Sequence, residues 1–133
     1  MQYRWSVFGG LLLTMAAALP AAAETLVSDS GLTRIYGYQF NHFPGDVIEY
    51  TTQVNGRRHN GVITVTDVSN SLVRGWFSDR DEGGNFGCIG EVSIQFVRNN
   101  RYISVWRIGG RPSPYVTCPQ AGTTSRLNMT AYP

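Results

Sequence analysis

The sequence predicts an all-β fold, a small antiparallel β-barrel of about seven or eight strands, with a β-sandwich as the alternative. Three observations point there. The chain is rich in Val, Ile, Thr, Tyr, Phe, Trp and Gly, the residues of strands and tight turns. Period-2 alternation recurs, and no apolar stripe of helical period holds for three turns. The apolar runs are short and separated by Gly, Asn and Pro, which leaves no room for the helical crossovers that parallel strands require.

The first element is not part of the domain. Arg4 opens a short positive start, Trp5 to Leu19 are apolar, and Ala21-Ala22-Ala23 fits a small-x-small cleavage site. Residues 1–23 therefore read as a cleaved secretory signal peptide. Gly9, Gly10, Thr14 and Pro20 interrupt the run, which argues against a retained membrane span. Residues 24–133 then form a single β domain, exported to a periplasm or secreted.

Seven strands follow in order: Leu32–Phe40, Asp46–Val54, Gly61–Val68, Leu72–Ser78, Glu91–Arg98, Arg101–Ile108 and Arg126–Ala131. Pro44-Gly45 turns the chain between the first two. Asn55-Gly56, the strongest short hairpin signal, joins the next two and brings Ile48 and Tyr50 near Ile63. A hairpin around Asn70 admits two registers. The turn Asn70-Ser71 sets Asp67 opposite Arg74, a favourable charge pair, and Val65 opposite Trp76. Both registers put Val62, Val73 and Phe77 on one face, and Ile63, Val65 and Trp76 on the other. A turn at Asn99-Asn100 sets Phe96, Ile94 and Val92 opposite Ile103, Val105 and Arg107 as a core face. It leaves Val97, Gln95 and Ser93 opposite Tyr102, Ser104 and Trp106. Trp76, Tyr102 and Trp106 are then candidates for a binding face.

Cys88 and Cys118 are an even pair in an exported chain, the pattern of one disulfide. They lack the C-x-x-C spacing of redox or metal pairs, and no His sits near either in the chain. The two histidines, His42 and His59, are far apart, so no zinc set is expected. Asp79-Arg80-Asp81-Glu82-Gly83-Gly84-Asn85 starts like a calcium loop, but its closing Glu91 falls one residue late and no helices flank it. No metal and no cofactor is expected.

The chain contains no lysine, which excludes amine-nucleophile and Schiff-base chemistry. The ten arginines after Arg4 face nine acidic residues, so the domain carries about one positive charge and no basic stripe of a nucleic-acid binder. Arg57-Arg58-His59-Asn60 is a small basic tip suited to an anion. His42 lies near Asp46 and Glu49, but no Ser or Cys stands in a nucleophile elbow. No catalytic constellation emerges, and a binding protein is expected in place of an enzyme.

Three binding modes fit. End loops Asp79–Gly87 and Gly109–Pro114 would recognise another protein, as an inhibitor does, through Asp79, Asp81, Arg107 and Arg111. A small apolar or aromatic ligand would enter the barrel mouth and stack on Trp76 or Trp106, beside Tyr102. Two-faced strands would bury one wall in a homodimer, as in a structural homo-oligomeric envelope protein. Between Gly61 and Ile108, the strand ending Val65-Thr66-Asp67-Val68 is followed by Val73-Arg74-Gly75-Trp76-Phe77, a Gly-rich loop and Val105-Trp106-Arg107. This spacing of Gly and Trp resembles small antiparallel barrels of the lipocalin and avidin kind. Their specific motifs are absent, so no binding residue is carried over from them.

Overall fold

Asn residues set the tight turns. Asn55 and Gly56 have φ of 51° and 78°, and Asn70 and Ser71 have φ of 48° and 66°. Two consecutive positive φ values give the hairpin turn whose twist matches that of paired strands. In the computed structural model, which describes residues 23–39, 41–110 and 118–133, these turns link strands of a closed up-and-down barrel. The strands are β1 (Glu24–Ser28), β2 (Arg34–Tyr38), β3 (Val47–Val54), β4 (Arg57–Ser69), β5 (Leu72–Asp81), β6 (Phe86–Arg98), β7 (Arg101–Ile108) and β8 (Thr124–Tyr132). Each pairs antiparallel with its neighbour in sequence, and β1 closes the ring on β8.

The all-β expectation and its barrel form hold, and the sandwich alternative is set aside by closure. β1 is an addition to the seven expected strands. Its five residues are too few to show an alternation, and they are held by Thr25↔Tyr132 through Ser28↔Met129 on one side and by β2 on the other. The signal-peptide reading of residues 1–23 lies, except for Ala23, outside the described residues.

Two bulges correct the expected faces. The Asn70-Ser71 turn does set Asp67 opposite Arg74, but the extra residue Thr66 then shifts the pairing, so Val65 meets Gly75 and Thr64 meets Trp76. Ile63 and Val65 thus share the interior with Val73 and Phe77, while Val62 and Trp76 face outward. At the β6–β7 turn, Arg98 pairs Arg101 as expected, but Val97 is extra and Phe96 pairs Tyr102. Ile94 then meets Ser104, and Val92 meets Trp106. The second correction moves Tyr102, Ser104 and Trp106 into the core and sends Ile103, Val105 and Arg107 toward the outer side. One inserted residue exchanges the two faces because the side-chain period is two.

The interior is apolar through its middle, with Leu26, Ile35, Ile48, Ile63, Val65, Val73, Ile94 and Met129 almost without solvent contact. One end is plugged by aromatic rings. Tyr102 packs edge-on against Tyr38 at 5.3 Å and Phe96 at 5.5 Å, and Tyr38 against His42 at 5.5 Å. Burial and the neighbouring Tyr102 raise the Tyr38 hydroxyl well above the usual range, and burial pushes Tyr102 up to about 12. The other end gathers the β1–β2, β3–β4, β5–β6 and β7–β8 connections. The disulfide Cys88–Cys118 ties the last of these to β6, with a Cα–Cα distance of 5.5 Å across a separation of 30 residues.

Candidate functional site

The loop end opens into a cavity of about 320 Å³. Its floor is a trio of rings in mutual contact: Tyr50–Trp106 at 4.9 Å, Phe77–Trp106 at 5.1 Å and Tyr50–Phe77 at 6.2 Å. The indole is fixed, because Trp106 Nε1 donates to Ser104 Oγ at 2.8 Å and Ser104 Oγ donates in turn to Met129 Sδ at 3.1 Å. Above the rings, Leu32, Val54, Ile108 and Leu127 line the wall, interleaved with Thr33, Thr52, Gln53 and Ser125. Thr33 and Thr52 bond each other through their hydroxyls at 2.7 Å. Asp79 is the one charged side chain in this lining among the described residues. The result is a cup with a rigid aromatic base, apolar walls and a few hydroxyl and amide groups.

Asp79 anchors a buried polar network beside that cup. Its Oδ1 accepts from Cys88 N at 2.7 Å and lies 2.7 Å from His59 Nδ1, while Oδ2 accepts from Tyr50 Oη at 2.5 Å. His59 is fully buried and Asp79 is 7 % exposed. Burial first, then the Asp79 charge and the bond to it, keep the Tyr50 hydroxyl protonated far above its ordinary range. Two glycines make the room. A β-carbon on Gly61 would lie 2.5 Å from Asp79 Cβ and 2.7 Å from Tyr50 Cζ. One on Gly87 would overlap the Asp79 carboxylate and lie 2.8 Å from His59 Nδ1.

The ligating atoms of His59, Asp79 and Cys88 lie within 4.8 Å of one another. No His lies near either Cys in the chain, but pairing of β4 with β5 and of β5 with β6 brings His59 and Cys88 together in space. The donor set is nonetheless unsuited to a cation. The Cys88 sulfur is bonded to Cys118 and offers no thiolate, and Asp79 and His59 spend their facing atoms on each other.

The remaining residues singled out from the sequence divide three ways. Asp81 turns inward and organises its own loop: Oδ1 accepts from Gly83 N at 2.9 Å and Asn85 N at 3.0 Å, and Arg57 stands 3.6 Å from Oδ2. The Asn85 backbone bond, with those from Gly83 and the nearby Arg57, holds the Asp81 carboxyl below its usual range. Trp106 joins the cup and Tyr102 the plug at the far end. Trp76 and Arg107 share the outer wall, separated by Glu91 in one cross-strand row. Arg111 lies outside the described residues. The basic tip does not assemble, since His59 is internal, Arg57 faces Asp81 and Arg58 donates to Asn60 Oδ1 at 3.2 Å.

Sequence reasoning missed Tyr50, His59 and Phe77 as partners of Asp79 and Trp106. The usable signal was Gly61 and Gly87, two glycines inside strands, where a close approach is the common cause. Compared with protein-family models, with curated proteins and with solved structures, the chain gives no match in any of the three.

Proposed function

We propose that this protein is an exported binding protein whose loop-end cup holds a small, largely apolar ligand. The observation that carries the reading is the cavity of about 320 Å³ floored by Tyr50, Phe77 and Trp106. That volume falls in the range of small-molecule sites, and the lining mix of apolar walls with a few polar groups is theirs as well. Rings locked against one another and a hydrogen-bonded indole present a surface that need not reorganise on binding. Export accords with the disulfide and with the leader-like first 23 residues. Binding is favoured over catalysis because His59 is fully buried and both Asp79 oxygens already hold protein donors.

The test is native mass spectrometry of protein purified from the compartment to which its own cell sends it. A small adduct is expected, lost in the cavity-filling variant Ile108→Trp. A clean mass, with no uptake of an apolar naphthalene dye by the stripped protein, would overturn the cup as a ligand site. The second reading, recognition of another protein through the end loops, is favoured by one feature. The Asp81-organised β5–β6 loop and the disulfide-tied β7–β8 connection belong to the same rim. A pull-down from the same compartment that depends on Asp81 and Arg111 would support it.

A further inference from the structure

The outer wall carries a second concavity that the cup does not use. Trp76 pairs with Glu91, Glu91 with Arg107, and Arg107 with Thr124, so these four form one row across β5–β8. The next row runs Arg74, Ser93, Val105 and Arg126. A groove of about 420 Å³ lies here, lined by residues of both rows. Three interstrand spacings of about 4.8 Å make the rows about 14 Å long, the reach of a short oligomer.

The chemistry of the groove is specific. The Trp76 indole is 55 % exposed. Arg74 shares its charge with Asp67 at 3.5 Å, but Arg107 and Arg126 are in none of the ion pairs among the described residues. Glu91 is the one carboxylate in either row, and of the two arginines that line the groove Arg107 is the one outside an ion pair among the described residues. Hydroxyls of Ser93 and Thr124 stand between the charges.

We propose that this groove binds a carboxylated oligosaccharide. A pyranose ring has an apolar C–H face that lies flat on an indole. Its carboxylate matches the two-pronged guanidinium of Arg107 or Arg74. Glu91, in the middle of its row, accepts hydrogen bonds from sugar hydroxyls and repels any second anion there, so a saccharide with a single carboxylate fits and a continuous run of phosphates does not. That central carboxylate favours a saccharide over a nucleic-acid strand. The exposed indole of Trp76, with hydroxyls around it, favours a sugar over an acidic peptide. The site lies on the outside of the barrel and does not depend on the cup being occupied.

Isothermal titration of the full mature protein with a xylotriose bearing one glucuronate, a tetramer with a single carboxylate, tests it. Cellotetraose, oligothymidylate and tetraglutamate serve as the neutral, nucleic-acid and peptide probes. Binding of the glucuronate-bearing tetramer is expected, at least about ten-fold tighter than that of any other probe. Trp76→Ala and Arg107→Gln should each weaken it about ten-fold, since each removes one charge-assisted or stacking contact. Both positions face solvent, so circular dichroism should be unchanged. Should Trp76→Ala fail to fold, Arg107→Gln and Arg107→Glu decide the question. The proposal is overturned if the tetramer does not bind, if binding survives at Arg107, or if oligothymidylate or tetraglutamate binds as well.

Discussion

Gly87→Ala is the substitution that most directly tests the buried network. The new β-carbon would overlap Asp79 Oδ1 and lie 2.8 Å from His59 Nδ1 and 3.0 Å from the Asp79 carbonyl oxygen. Asp79 cannot retreat without losing the donors that hold it: Cys88 N and His59 Nδ1 at 2.7 Å on Oδ1, and Tyr50 Oη at 2.5 Å on Oδ2. Leaving a buried carboxylate without one of its hydrogen-bond donors costs about 1–3 kcal/mol, and more where the group is charged. A domain of this size has a total stability of about 5–15 kcal/mol, so the variant should lose a clear share of it and unfold at a lower urea concentration. The assay is urea denaturation followed by circular dichroism, with the midpoint compared at constant slope. Gly110→Ala is the control, because a β-carbon there meets nothing within 4 Å. It should stay within about 0.5 kcal/mol of wild type. A Gly87→Ala loss below about 1 kcal/mol would refute the network as a stabilising element.

Three further outcomes are expected. Tyr50→Phe leaves Asp79 Oδ2 without its donor and should lose about 1–3 kcal/mol in the same urea titration, the cost of an unsatisfied buried acceptor. Replacing both cysteines by serine opens a loop spanning 30 residues and should cost about 3–4 kcal/mol, read as a lower thermal midpoint that no longer responds to reductant. The carboxyls of Asp46 and Asp81 are held below their ordinary range, first by the backbone N–H of Phe43 and of Asn85 respectively. Their contribution is therefore complete above the unfolded Asp value of about 4 and is lost as pH falls through the lower folded values. Urea midpoints should stay level from about pH 7 to 5 and drop in acid. Asp81→Asn should flatten the part of that drop due to Asp81.

Much of the architecture was legible in the chain. Alternation and turn chemistry alone point to an antiparallel all-β domain. Asn55-Gly56 marks its hairpin, and Ile48 does pair with Ile63 across it. Asp67 opposite Arg74 selects the right turn at Asn70-Ser71. An even cysteine pair is enough to expect the bond that joins Cys88 to Cys118. Each of these rests on local chemistry or on simple pairing, which sequence records directly.

What only the tertiary structure decided is which face looks inward and what meets there. Period-2 alternation says that Tyr102, Ser104 and Trp106 share a face; it does not say which. The extra residues Val97 and Thr66 each invert that assignment, and nothing in their side chains announces a bulge. The site follows from the same inversion. Trp106 reaches the cup floor and Trp76 the outer wall because the two strands enter the ring in opposite phase. Asp79 meets His59 and Tyr50 across 20 and 29 residues of chain, a coincidence of strand pairing and barrel closure. Ring closure is a property of all eight strands together, so no local pattern could have carried it.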